Sequence, residues 1–212
     1  MKKPLAPLTL DELRSLYDEK RDALQSRLTD FARVPPEDYF YELAYCLLTP
    51  QSSAFAADKA IKLLQQYDFF HRDIDPEPLL HQKQFYIRFH KTKAKHLLLM
   101  KNQSPRIFEH LAGNLHNRQL REWLVQNVAG LGWKEASHFL RNIGGRDLAI
   151  LDRHILKNMV RLGILKRLPK TLTPRRYKLL EEKFHTFAQQ IGIPVDELDL
   201  LLWSMETGTI FK

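Results

Sequence analysis

Two residues of the chain stand where their types and spacing could do chemistry. Lys134 lies two residues beyond Gly132 in the run Val128-Ala-Gly-Leu-Gly-Trp-Lys-Glu-Ala136, and Asp152 follows eighteen residues later in Ile150-Leu-Asp-Arg-His-Ile155. A lysine amine attacks an electrophilic carbon and forms Schiff bases, provided it is neutral, a state that burial or neighbouring cations favour. A carboxylate near such an amine can stabilise positive charge that develops on the carbon under attack. Each residue also has an ordinary use. Lysines mostly decorate solvated helix faces, and aspartate is a common helix N-cap. The coincidence of a tight glycine turn, a lysine at that offset and an aspartate at that spacing is far more specific than any one of them.

The turn itself is informative. Gln119 to Val128 and Trp133 to Ile143 both read as helix, so Gly130-Leu131-Gly132 joins them as a hairpin. Glycines allow positive φ and a close approach of backbone to another molecule. The N–H groups that open the second helix suit a phosphate, and the helix dipole adds to the attraction. Such a hairpin can hold a nucleic-acid backbone without reading its sequence. It can equally be a plain helical hairpin, since Gly-x-Gly between helices is a weak signal alone.

The remaining chain reads as helix after helix. Thr9 and Glu12 form a capping box ahead of Leu10, Leu13, Leu16, Leu24, Leu28 and Phe31. Pro35-Pro36 ends that run, a second helix carries Tyr39, Phe40, Leu43 and Leu47, and a third spans about Ser53 to Gln66. Residues 68 to 80 look irregular. A helix is expected over Lys91 to Met100, and Ser104-Pro105 should open another by the cap-then-proline rule. Asp152 sits at the N-cap position before Arg153 to Leu162. Thr173-Pro174 and Pro194 begin the last two helices. No alternating strand pattern exceeds a few residues, so an all-α fold is expected.

Composition narrows the function. With 212 residues, 44% hydrophobic, the chain can bury a real core. Its formal charge of +8 favours a polyanionic partner. The single cysteine, Cys46, rules out a disulfide within the chain and speaks against a cysteine-ligated zinc or iron–sulfur site. Met1 to Pro7 has no signal-peptide pattern, and no stretch approaches the roughly 20 apolar residues of a membrane span. The expectation is an intracellular setting (cytoplasm or nucleoid), with no membrane association, no metal and no cofactor.

Residues 128–155 resemble the helix-hairpin-helix, Gly/Pro-Asp superfamily of DNA glycosylases. Leu47-Leu-Thr-Pro-Gln-Ser-Ser-Ala54 and Arg88-Phe-His-Lys-Thr-Lys-Ala94 are similar to further segments of that superfamily. The endonuclease III branch usually carries four cluster cysteines, which are absent, and the eukaryotic-type 8-oxoguanine enzymes have an extra β domain for which there is no room. The chain is therefore most similar to the compact type 2 8-oxoguanine DNA glycosylase/lyases. That resemblance implies two helical lobes with a cleft between them. Residues 31–149 would form one, and residues 1–30 with 150–212 the other. It implies Lys134 as nucleophile, Asp152 as essential carboxylate, and backbone contacts to DNA at Gly130, Leu131 and Gly132. The expected partner is double-stranded DNA holding an oxidised guanine, bound by a monomer. The reaction would be base excision through a lysine Schiff base, then β-elimination of the strand.

Other assignments keep their alternatives. Trp203 is either a core tryptophan or a stacking platform for the extruded base, with Phe89 and His90 as an opposite wall. Gln51 and Ser52 either fill the space the base vacates or cap the third helix. His154 packs or positions. Lys91, Lys93, Arg153, Lys157, Arg161 and Arg176 are candidate phosphate contacts, each equally readable as a solvated charge. The resemblance places the α-carboxylate of Lys212 on the Watson–Crick edge of guanine, whose adjacent N–H donors suit a carboxylate; a frayed tail is the other reading. Three rival functions remain open: a non-catalytic DNA-binding hairpin module, a helical protein-interaction domain, and the same chemistry on another lesion.

Overall fold

The computed structural model describes residues 6–211. Among them are nine α-helices: α1 (Leu10–Ala32), α2 (Tyr39–Leu48), α3 (Ala54–Gln66), α4 (His90–Ala112), α5 (Asn117–Asn127), α6 (Trp133–Asn142), α7 (Arg153–Arg161), α8 (Pro174–Ile191) and α9 (Val195–Thr207). The expected all-helical class holds. The one addition is a small antiparallel hairpin, β1 (His81–Gln82) with β2 (Phe85–Tyr86), in register His81 to Tyr86. Two residues per strand are too few for a period-two pattern to register in the sequence.

The chain folds into two compact units. One comprises the described residues of Met1–Arg33 and Gly144–Lys212, the other Val34–Ile143. Each is organised around one helix that is largely buried, with apolar residues on most of its faces. In the first unit that helix is α9, whose Leu198, Leu200, Leu201 and Leu202 are fully buried while α1, α7 and α8 pack around it. In the second it is α2. There Phe40 and the whole run Leu43 to Leu48, including Cys46, are buried, and α3, α4 and α6 pack on it.

Local signals explain most boundaries. The Thr9 hydroxyl accepts from the Glu12 amide at 3.2 Å, and the Glu12 carboxylate accepts from the Thr9 amide at 2.8 Å, so both arms of the capping box form. Thr173 caps α8 ahead of Pro174 through its own hydroxyl. Gly192 ends α8 in the left-handed conformation at φ 73°.

One boundary expectation fails. Ser104-Pro105 starts no helix; α4 runs unbroken from His90 to Ala112 with Pro105 inside it. Proline cannot donate to the carbonyl four residues back, which here belongs to Lys101. The Ser104 hydroxyl donates to that carbonyl instead, at 2.8 Å, and Ser104 is itself buried. The side chain that looked like an N-cap repairs the helix. Ser104→Ala should therefore cost about 1–2 kcal/mol by stranding the Lys101 carbonyl. Adding Pro105→Ala should recover that loss, because the new amide can donate. Denaturant unfolding of the wild type and the two variants checks this; a neutral Ser104→Ala would refute it.

Candidate active site

The hairpin between α5 and α6 is anchored by its apolar residues. Val128 and Leu131 are buried, and the Leu131 amide donates to the Val128 carbonyl at 3.2 Å. Gly130 has the expected positive φ, 83°, and a Cβ there would be driven into the ring of His96 on α4. Gly132 does not need glycine's conformational range: its φ is −91°. What it supplies is space, since a Cβ would meet Glu135 Oε2 at 2.7 Å. As the N-cap of α6 it has no side chain with which to bond the first turn.

The inner face of α6 is held by polar contacts that composition does not disclose. Arg121 of α5, almost fully buried, donates to the Ser137 hydroxyl at 3.0 Å and stacks its guanidinium 4.9 Å from the Trp133 ring. Asn142 donates to Glu42 of α2 at 3.1 Å. Lys134 emerges in the first turn with its side chain 24% exposed and its Nζ 3.4 Å from Glu135 Oε1.

A second lysine lies within electrostatic reach of Lys134, and the structure changes its role. Lys93, expected among the phosphate contacts, is buried. Its ammonium donates to the Leu48 carbonyl at 2.7 Å, the Pro50 carbonyl at 2.6 Å and the Ser52 hydroxyl at 3.2 Å. All three N–H donors are used inside the protein, so none remains for a phosphate. Burial, and then the neighbouring Lys134 charge, pull the Lys93 amine down to about 8.

The Lys93 contacts also gather expected site residues. Ser53, not Gln51 or Ser52, caps α3, accepting from the Ala56 amide at 3.0 Å. Ser52 instead accepts from the Arg88 amide at 3.0 Å, which joins the 49–52 loop to the start of α4. Gln51 and Phe89 both take left-handed backbone, at φ 56° and 60°, and both are exposed. The Arg88 guanidinium lies 5.0 Å from the Phe89 ring. His90 packs on the small hairpin, its ring centroid 4.8 Å from His81 and 5.7 Å from Tyr86.

Asp152 belongs to the other unit and caps α7 as its position suggested. Both bonds use one oxygen: Oδ1 accepts from the His154 amide at 2.7 Å and from the Ile155 amide at 2.8 Å. Among the described residues no hydrogen bond reaches Oδ2. The loop leading to Asp152 is laced to α8 and α9. Asp147, Ala149 and Ile150 donate their amides to Asp196, Glu181 and Asp199 at 3.2, 3.0 and 3.2 Å, and Leu151 donates to the Tyr177 hydroxyl at 3.2 Å.

The far end of α9 clamps α7. Glu206 meets Lys157 at 3.2 Å, His154 at 3.4 Å and Arg161 at 3.8 Å. Burial pushes its carboxyl up, but the bonds from Lys157 and His154 outweigh that and hold it below its ordinary value. Two of the expected phosphate contacts, Lys157 and Arg161, thus share an internal carboxylate, whereas Lys91, Arg153 and Arg176 are exposed. Trp203 lies on α9, half-buried, one turn before Glu206. Lys212 lies outside the described residues. Its neighbour Phe211 accepts from Arg27 at 2.6 Å through the main-chain carbonyl.

Sequence reasoning missed His96, Arg121, Glu206 and the acids of α9. Only the last left a signal: Asp196, Glu197 and Asp199 open a helix that is otherwise apolar, and carboxylates in such company must find donors. Among the described residues no group of three or more His, Cys, Asp or Glu side chains could hold a metal ion, and no helix is long and apolar enough to cross a membrane.

Comparison with known proteins agrees with this arrangement. A family model described as 8-oxoguanine DNA glycosylase matches residues 24–193. The 8-oxoguanine DNA glycosylase/AP lyase of Fusobacterium nucleatum is 39% identical over 95% of this chain and 97% of its own. The crystal structure of the Thermotoga maritima 8-oxoguanine DNA glycosylase superposes with a TM-score of 0.85 at 32% identity, covering 96% of this chain and 98% of that one. The Methanocaldococcus jannaschii 8-oxoguanine glycosylase/lyase, crystallised with a 15mer DNA containing 8-oxoguanine, gives 0.83 at 31% identity, over 96% and 99% of the two chains.

The two hairpin glycines should respond differently to a methyl group. Gly130→Ala combines left-handed backbone with a collision against a packed ring, and should destabilise by about 2 kcal/mol or more. Gly132→Ala meets only the end of a flexible Glu135 side chain and should cost under about 1 kcal/mol. Thermal melting of the two variants decides it; equal losses would refute the distinction.

Proposed function

This chain belongs to the 8-oxoguanine DNA glycosylase family, and we propose that Lys134 and Asp152 carry its chemistry, excision of 8-oxoguanine from DNA followed by cleavage of the strand. The observation that carries the assignment is the contrast between the two neighbouring lysines. Lys93 has all three donors committed to internal oxygens, whereas among the described residues the Lys134 amine, in the first turn of α6, has an ion pair with Glu135 and no hydrogen bond to a backbone oxygen.

The glycosidic bond of a stacked nucleotide is out of reach, so the nucleotide must leave the helix. The hairpin amides at Gly130 and Gly132 hold a phosphate, with Lys91, Arg153 and Arg176 supplying exposed positive charge; the Leu131 amide, expected to join them, is instead bonded to the Val128 carbonyl and fixes the turn. Gln51, at the tip of its loop, occupies the space the nucleotide leaves. Phe89 and Trp203 offer aromatic faces to the extruded base.

The neutral Lys134 amine donates its lone pair to C1′ of the sugar. The C1′–N9 bond breaks, its electrons leave with the base, and the base takes up a proton. Asp152 Oδ2 stabilises the positive charge on the sugar as that bond lengthens. Opening of the sugar ring at O4′ gives the C1′ Schiff base. Loss of a 2′ proton then expels the 3′ phosphate, cutting the strand 3′ to the lesion, and water releases the lysine. Every step uses groups of the chain, the DNA and water.

Two substitutions test these roles. Lys134→Gln keeps reach and polarity but cannot form a Schiff base. It should abolish borohydride trapping on an 8-oxoguanine duplex while duplex binding persists, and a trapped complex from this variant would remove Lys134 from the role. Asp152→Asn retains the capping oxygen, so its melting temperature should stay close to that of the wild type. Excision should nevertheless fall by about two orders of magnitude or more, as for loss of a charge aimed at the transition state. Near wild-type excision would reduce Asp152 to a cap.

A further inference from the structure

We propose that Lys93 is a positioning residue for nucleotide extrusion, a clasp that holds the Gln51 loop and the Phe89 loop in one fixed arrangement. The inference rests on the glycosylase reading above but concerns a residue to which that mechanism gives no step.

A lysine ammonium sits here in an unusual place. Lys93 is buried, and its three hydrogen-bond partners are all neutral oxygens. Such burial is costly unless every donor is satisfied and the local field is favourable. The first condition is met in full, and the second in part, since the Lys134 charge opposes the ammonium while the backbone carbonyls around it attract it. Leu48 is the last residue of α2, so its carbonyl is among those a helix C-terminus leaves unpaired, and Pro50 lies in the turn just beyond the cap. A cation there also meets the negative end of the helix dipole. The third donor reaches Ser52, whose hydroxyl at the same time accepts from the Arg88 amide. Lys93 itself belongs to the first turn of α4, its amide bonding the Phe89 carbonyl at 3.0 Å. One ammonium therefore ties the end of α2, the 50–52 turn and the start of α4 together.

What the clasp holds is strained. Gln51 and Phe89 are non-glycine residues in left-handed backbone, each at a cost on the order of 1 kcal/mol or more that surrounding contacts must offset. Both flank the clasp in sequence, and both side chains are exposed. A polar residue and an aromatic ring held out by strained backbone from two tied loops suit a step that pushes into a duplex and receives what comes out. Without the clasp, relaxation of either loop would misplace them while Lys134, on α6, kept its own supports in Arg121 and Ser137.

The test separates extrusion from chemistry. An intact 8-oxoguanine nucleotide must be extruded before excision, whereas a preformed abasic site offers Lys134 its sugar with no base to move. Lys93→Met keeps the length and removes the donors. Under single turnover it should lower 8-oxoguanine excision by about tenfold or more, as expected if one strained residue relaxes, with a matching loss of the fluorescence rise from 2-aminopurine placed beside the lesion. Abasic-site cleavage should fall by less than about threefold. Ser52→Ala, which removes only the shared oxygen, should show the same split even if Lys93→Met folds poorly, and Ser52→Thr should restore excision. Parallel loss of both activities in Ser52→Ala, or loss of neither, would overturn the proposal while leaving the glycosylase reading intact. A wild-type protein that cleaves abasic sites but leaves 8-oxoguanine untouched would overturn both.

Discussion

Buried backbone amides need partners, and the segment before Asp152 shows how far this requirement shapes the molecule. Leu148 to Leu151 are buried in irregular backbone, with no helix or strand to pair their N–H groups. From Asp147 to Leu151, four amides are answered one by one from α8 and α9, by Asp196, Glu181, Asp199 and Tyr177. The Tyr177 hydroxyl both accepts from Leu151 and donates to the Ala149 carbonyl, at 2.6 Å. An apolar α9 without its acids would bury as much surface but leave its share of these amides stranded, each at about 1–3 kcal/mol. The route by which the chain enters α7, and with it the placement of the Asp152 carboxylate, depends on these bonds.

The second unit solves the same problem with other groups. Lys93 serves the last carbonyl of α2 and one in the turn that follows, Ser104 serves the carbonyl Pro105 cannot reach, and Ser52 serves the Arg88 amide. In each case a side chain completes hydrogen bonding that the backbone cannot complete itself. Most of these points lie where the chain enters or leaves a helix, and there the candidate functional residues cluster as well. Irregular backbone can present a side chain at an angle no helix face allows, but only where something fixes it.

What could be read from sequence follows the same division. Helix starts announced themselves because a cap is a local device: Thr9 with Glu12, Thr173 before Pro174, and Asp152 before α7 all act within four residues. Lys134 and Asp152 stood out through their spacing from a glycine turn. The failures involved partners remote in sequence or rules with two outcomes. Lys93 looked like a surface lysine because nothing local tells a lysine that its acceptors lie at residues 48 to 52. Ser104-Pro105 satisfies the rule for starting a helix and, with its hydroxyl turned back to Lys101, the condition for continuing one. Gly132 was recognised for flexibility, yet its extended φ shows that the absence of a side chain is what matters there. His96, which fills the space that glycine leaves at position 130, carried no signal at all.

The two helix starts that bear Lys134 and Asp152 differ at the N-cap, and that difference bears on what each can do. An α-helix begins with N–H groups that no intrahelical acceptor reaches. At α7 the N-cap is Asp152, whose Oδ1 takes two of them, so this terminus has already bound its anion. Those bonds also pin the carboxylate and leave Oδ2 as the oxygen that can act elsewhere. At α6 the N-cap is Gly132, which brings no acceptor, and a larger residue there would meet Glu135. A terminus without a side-chain cap suits an external anion, and for the proposed DNA substrate that anion is a phosphate. In the proposed mechanism a phosphate held there would lie two residues from Lys134, and the covalent geometry of the nucleic acid would then set the sugar's approach to the amine. The same unsatisfied helix start is thus closed internally in one unit to aim a carboxylate. In the other its N-cap brings no side-chain acceptor, which is what the proposed role in aiming the substrate requires.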